Sequence, residues 1–240
     1  MANEQRTQLW IAGIFLAIII AITIAAALFS GSAPITGGQP SFIATQTTPL
    51  TTSDHMHGSA KAVVTLIEYG DFECPACSQY EPIIQQLYKT YGDRVQFAFR
   101  NFPLYQIHPF AMMSAQAAEA AGLQGKYWEM HDILYAKQKE WSTDTSLSTA
   151  TVISKYFDVY AQSLGLDVKK FDTDILASAA TDKVQSDLAL GNKASIDHTP
   201  TFFLNGTQIA NPQSSADFEN VLKAAIASSS ATIATTTSSK

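Results

Sequence analysis

Apolar residues dominate from Leu9 to Phe29, and large ones are then sparse until Ala62. The stretch LWIAGIFLAIIIAITIAAALF carries no charge and has the roughly 20 residues that a helix needs to cross about 30 Å of hydrocarbon. A buried core helix usually keeps a polar face, and this one has none. A cleaved signal peptide is the alternative, but its apolar centre is shorter, about 7–15 residues, and ends on an A-x-A-like site. The nearest candidate, Gly31-Ser32-Ala33, is followed by Pro34. The pattern therefore predicts an uncleaved anchor over 9–29 behind a short start at 1–8. Arg6 precedes the run and no Lys or Arg follows it before Lys61. The positive-inside rule then leaves the start in the cytoplasm and sends the remainder across the membrane.

Residues 30–60 are rich in Gly, Ser, Thr and Pro and predict a flexible linker with an r.m.s. span of roughly 30 Å. His55-Met56-His57 could hold a soft metal, but two histidines in such a stretch read as solvated chain, so no metal site is expected.

A folded domain is expected over 61–227. Ala62 to Tyr69 is almost continuously apolar and rich in β-branched residues, the pattern of a strand buried on both faces. Glu68 interrupts it. A carboxylate buried there costs several kcal/mol unless partnered or protonated; the alternative is an edge position with the carboxylate in water. Gly70-Asp71-Phe72-Glu73 makes a turn, and Pro75 suits the first turn of a helix. Tyr80, Ile84, Leu87 and Tyr91 share one face of that helix, Pro82 kinks it, and Gly92 ends it. Val95, Phe97 and Phe99 alternate along a second strand.

The segment 104–195 is mostly helical. Its stripes are Phe110, Met113, Ala117 and Ala121; then Tyr127, Met130 and Leu134; then Ile153, Tyr156, Tyr160 and Leu164. A last helix over about 172–190 turns Ile175, Val184 and Leu188 inward. His108 and His131 read as core or boundary histidines. Thr201–Leu204 and Thr207–Ala210 flank Asn205-Gly206, a two-residue hairpin signal. Phe218, Val221, Leu222 and Ala225 mark a final amphipathic helix, and the Ser/Thr-rich tail 228–240 predicts disorder. The order β-α-β, helical block, β-β-α describes an α/β sheet with an inserted α-helical subdomain.

Composition narrows the function. The 240 residues allow one folded domain with appendages. A net charge of -6, with no basic run longer than Lys169-Lys170, gives no basis for nucleic-acid binding. Both cysteines of the chain lie in Cys74-Pro75-Ala76-Cys77, after a strand pattern and before a helix, the context of a thiol–disulfide redox site. Half of a zinc site is the alternative, but structural zinc needs four ligands and no second Cys pair exists. An extracytoplasmic location, where disulfides persist, agrees with the redox reading.

With IEYGDFECPAC, RNFPL, HPFAMMSAQAAEAAGLQGKYWEMHDIL and HTPTFFLNG in that order, the chain from about Ala60 to Ser228 resembles the bacterial DsbA-like thiol–disulfide oxidoreductases. These are thioredoxin-like folds with a helical insertion. The resemblance implies that Cys74 is the exposed nucleophile and Cys77 the buried resolving thiol. Thr199-Pro200 matches the family's cis-proline loop, which faces the disulfide and, with Pro75 and Ala76, lines the substrate surface. Glu68, six positions before Cys74, matches a buried acid that assists proton transfer from the second cysteine. The redox-active disulfide is the only cofactor implied. The expected partners are exported cysteine-containing proteins as substrates, and a membrane quinone-linked thiol oxidase as reoxidant.

Ala76 departs from the Pro-His of the best-known oxidases, which implies a less stabilised thiolate. A reductase or isomerase on the same scaffold is a rival reading, since threonine before the cis-proline also occurs in isomerase branches. A tethered peptide-binding or chaperone module is another.

Overall fold

The computed structural model describes residues 42–237. Six strands form one mixed sheet: β1 (Phe42–Gln46), β2 (His55–His57), β3 (Val64–Gly70), β4 (Val95–Asn101), β5 (Thr201–Leu204) and β6 (Thr207–Ile209), in the order β1-β6-β5-β3-β4-β2. The apolar run predicted to be buried on both faces is the centre of this sheet. β3 pairs parallel with β4 and antiparallel with β5. The crossover between β3 and β4 is helix α1 (Pro75–Tyr91), which runs through Pro82. β5 and β6 join through Asn205-Gly206, both at positive φ, which is the two-residue turn that their residue types favour.

Alternation sends the residues of β3 to two cores. On one face Val64 and Leu66 meet Leu87 and Tyr91 of α1, with Phe218 and Leu222 of the last helix, α9 (Ser215–Thr237). On the other, Ile67 and Tyr69 meet Ala98, Phe203 and Ile196. The insertion is built from α2 (Ala111–Gly122), α3 (Tyr127–Ala136), α4 (Gln138–Trp141), α5 (Thr149–Val152), α6 (Asp158–Ser163), α7 (Val168–Ile175) and α8 (Ser178–Lys193). Its core holds Trp141, Phe157 and Phe171, and it also takes in Phe72, Cys74 and Cys77. The redox motif therefore sits where the insertion meets the sheet.

The structure corrects the boundaries in four places. The expected linker is folded from Phe42: β1 and β2 are the two edge strands, pairing with β6 and β4. The reason lies in Arg100, wholly buried on β4. Its guanidinium donates to both Asp54 oxygens at 2.7 and 3.0 Å, to the Tyr69 hydroxyl at 2.9 Å, and to the Thr48 and Pro49 carbonyls at 3.0 and 3.1 Å. A buried cation needs such a set of acceptors, and the Thr/Pro segment supplies it. His55 and His57 are likewise not solvated chain. His55 bonds Glu119 at 2.8 Å and stacks on Tyr127, while His57 lies against Tyr88 and Trp128.

Between α5 and α6 one turn is a π-helix, Ile153–Phe157. Its extra residue rotates the buried face, so Val152, Phe157 and Ala161 accompany Tyr160 inward rather than Ile153 and Tyr156. The helix expected over 172–190 is two helices, α7 and α8, separated at Leu176-Ala177, and Leu188 is only half-buried. The last helix continues to Thr237 through most of the expected tail. Among the described residues no helix is long and apolar enough to cross a membrane. The apolar run at 9–29 lies outside the described residues.

Candidate active site

Cys74 is the N-cap of α1, with extended backbone (φ -70, ψ 121) and Pro75 following at N1. No side chain caps the helix, so the free N–H groups of its first turn are available to the Cys74 sulfur. The thiol is pushed down to about 5: first by a hydrogen bond from the Cys77 thiol, then by the Thr199 hydroxyl and the backbone N–H groups of Cys77 and Ala76, against the opposing effect of burial. Burial pushes the Cys77 thiol well up. Both cysteines are free thiols. One is a stabilised nucleophile and the other holds its proton.

Cys74 was expected to be exposed, yet only 7% of it is, against 1% for Cys77. The Thr199-Pro200 loop covers it. That peptide bond is cis, and the Thr199 carbonyl accepts the Cys74 S–H at 3.3 Å. The Thr199 hydroxyl is buried with no other partner. Pro75 is exposed and Ala76 half-buried beside the sulfur, while Pro200 is buried.

Glu68 faces inward on the central strand, opposite Phe99 and Phe202, which excludes the edge position. It is 6% exposed and makes no hydrogen bond among the described residues. Burial, reinforced by the Cys74 charge, pushes its carboxyl up to about 8, and its charge in turn raises Cys77. A buried acid with a raised pKa thus stands within electrostatic reach of the Cys77 thiol.

Asp71 and His108 form a pair the sequence did not reveal. The Cys74 N–H donates to the Asp71 carbonyl at 3.0 Å, and the Asp71 carboxylate contacts His108 Nδ1 at 2.7 Å. The carboxylate also accepts the Glu73 and Leu104 N–H groups. Asp71, and after it the Cys74 charge, pushes the imidazole up toward its cationic form. The imidazole is delivered from the loop after β4, within electrostatic reach of the Cys74 charge. A lone histidine in a helical block carries no mark of such a role, and its partner is 37 residues away. Gln138 also escaped notice: it donates to the Phe72 and Cys74 carbonyls at 2.7 and 2.8 Å, clamping the motif to the insertion. Glu73, raised to about 7 by burial, accepts the Phe110 N–H at 2.6 Å and ties down the same loop.

Residues 50–224 match the thioredoxin family. The chain belongs to that family. Among solved structures this thioredoxin-family chain resembles oxidised BdbD from Bacillus subtilis, at 22% identity and a TM-score of 0.65, over 76% of this chain and 98% of that one. It also resembles alpha-DsbA1 of Wolbachia pipientis (21% identity, TM-score 0.65, 77% and 96% covered) and the catalytic domain of Proteus mirabilis ScsC (18%, 0.58, 74% and 91%). At these identities the likeness is one of fold: a thioredoxin-like fold with the DsbA-type helical insertion.

In sequence, the chain is 39% identical over 159 residues to a Na(+)/H(+) antiporter, NhaA 3, of Salinispora tropica, over 66% of this chain and 22% of that protein. It is 32% identical over 216 residues to NhaA 1 of Mycobacterium sp. strain KMS, over 88% and 33%. The chain thus spans a fifth to a third of the length of these relatives.

Proposed function

We propose that this chain is a membrane-anchored, extracytoplasmic thiol–disulfide oxidoreductase that introduces disulfides into exported cysteine-containing proteins. The observation that carries the reading is the Cys74 thiolate, favoured by Cys77, Thr199 and the backbone N–H groups of Ala76 and Cys77 at the helix N-terminus. Stabilising the thiolate stabilises the reduced enzyme, which makes its disulfide a stronger oxidant. The uncharged run at 9–29 and the lone flanking Arg6 support the anchor and its orientation.

In the forward reaction a substrate thiolate attacks Cys74 Sγ of the Cys74–Cys77 disulfide. A mixed disulfide forms and Cys77 leaves as a thiolate, taking the Glu68 proton. A second substrate thiolate attacks the mixed disulfide and expels Cys74, whose low pKa makes it a good leaving group. The substrate has lost two electrons and gained a disulfide, and the enzyme leaves as a dithiol. A membrane quinone-linked thiol oxidase then accepts those electrons and restores the disulfide. Pro75 and Ala76, with Thr199-Pro200 opposite, form the surface that an incoming chain meets.

The test is a reduced, unfolded cysteine-containing protein offered to oxidised enzyme. Wild type oxidises it, Cys74→Ser does not, and Cys77→Ser accumulates mixed disulfides through Cys74. Unchanged activity in Cys74→Ser would instead support a tethered binding module.

A further inference from the structure

Glu68 also lines a cavity with about 20 Å³ open to the centre of a water molecule. That is room for a single water or ion. Its lining includes the titratable Glu68, Glu81, His131, Asp132 and His57, with Tyr88 and Trp128, and no lysine or arginine. The buried Glu68, Glu81 and His131 thus share this space with the half-buried Asp132, and no permanent cation enters it. Outside the cavity, Glu81 and Asp132 also border a surface groove of about 140 Å³ with Ser78 and Gln85, which gives a small solute a route in.

We propose that Glu81, His131 and Asp132 hold a divalent transition-metal ion of the zinc class. One ligand atom from each lies within 4.8 Å of the other two. His131 Nδ1 is 3.1 Å from Asp132 Oδ1 and 3.8 Å from Glu81 Oε1. Ligands at about 2.0–2.1 Å from a tetrahedral ion stand roughly 3.3 Å apart, and the two observed spacings bracket that value. Glu81 and His131 are 6% and 3% exposed, so the ion would be largely withdrawn from water.

An independent feature points to the same occupant. Glu68 is more than nine-tenths buried, lines this cavity, and has no hydrogen-bond partner among the described residues. Water bound to the cation, at the coordination position left by three protein ligands, supplies that partner.

Around the three ligands a supporting shell is already in place. Gln85 Nε2 donates to Glu81 Oε1 at 2.9 Å, fixing the carboxylate as outer partners do in metal sites. The His131 ring is held edge-on by Phe72, Phe99, Tyr135 and Trp128. Mixed imidazole and carboxylate donors suit zinc, manganese or iron(II) rather than copper(I), which prefers sulfur. His57, read from sequence as solvated linker, lines the same cavity between Tyr88 and Trp128.

The experiment uses the full chain with Cys74 and Cys77 oxidised, so that the thiolates cannot bind the ion. Zinc is titrated by calorimetry, and cobalt(II) by its visible absorption. One ion bound at micromolar affinity is expected, weakened about tenfold or more in Asp132→Asn and in His131→Gln. Asp132 is partly exposed, so Asp132→Asn decides the matter if circular dichroism shows that His131→Gln has unfolded. No binding up to millimolar zinc, or equal affinity in wild type and Asp132→Asn, overturns the site.

Discussion

The Cys74 sulfur donates to the Thr199 carbonyl across 125 residues of sequence, at 3.3 Å. The two residues come from opposite ends of the helical insertion, so the nucleophile is complete only when the whole domain has closed. In the thiolate form the Thr199 hydroxyl, which has no other partner, becomes the donor.

Thr199→Val removes that donor and keeps the shape. The lost hydrogen bond to a charged sulfur, about 1.5 kcal/mol, should raise the Cys74 pKa by about one unit. Ultraviolet thiolate absorbance against pH measures it. An unchanged titration would show that the hydroxyl does not reach the sulfur.

His108→Phe should also raise the Cys74 pKa, because it removes the imidazole that Asp71 pushes toward its cationic form within reach of the Cys74 charge. His108→Lys keeps a cation beside Asp71 and should recover part of the effect. If Phe and Lys behave alike, the imidazole shapes the loop but does not act by charge.

Glu68 makes folding stability depend on pH. Its carboxyl rises from 4.5 to about 8 on folding, so between those values the folded chain keeps a proton that the unfolded chain gives up. Its stability is therefore complete below pH 4.5 and falls as pH climbs toward 8. Glu68→Gln should remove this loss and be more stable than wild type at pH 8, with the difference vanishing near pH 4. Glu73 and Glu81, each raised to about 7, leave both proteins a residual decline of the same sign. Denaturant midpoints across this range check the sign, and a stabilisation independent of pH would contradict it.

Asp54→Ala strands the wholly buried Arg100 without its carboxylate. Breaking such a pair costs about 3–5 kcal/mol, seen as a lower urea midpoint with little change in slope. A loss below about 1 kcal/mol, typical of an exposed pair, would mean that residues 47–54 are not integral to the fold.

The parts legible in the sequence are those written in local pattern. The buried run at β3, the Cys74-Pro75-Ala76-Cys77 helix start and the Asn205-Gly206 turn each announce themselves within a few residues. The resemblance added the partnership with Thr199-Pro200. What stayed hidden depends on side chains that meet across the fold. Asp54 looks like one more polar residue in a Thr/Ser/Pro stretch until Arg100, 46 residues on, needs it. His108 reads as a boundary residue until Asp71, 37 residues away in sequence, pairs with it. The π-turn at Ile153–Phe157 escaped because helical stripes assume a constant period.

The central claim is that the dithiol is stabilised at Cys74 enough to make its disulfide an oxidant. The reduction potential of the Cys74–Cys77 pair, measured by equilibration with glutathione redox buffers, tests it most directly. The account predicts a value well above thioredoxin's, in the region between about -180 and about -120 mV. A potential at or below about -270 mV would make the chain a reductant and contradict it.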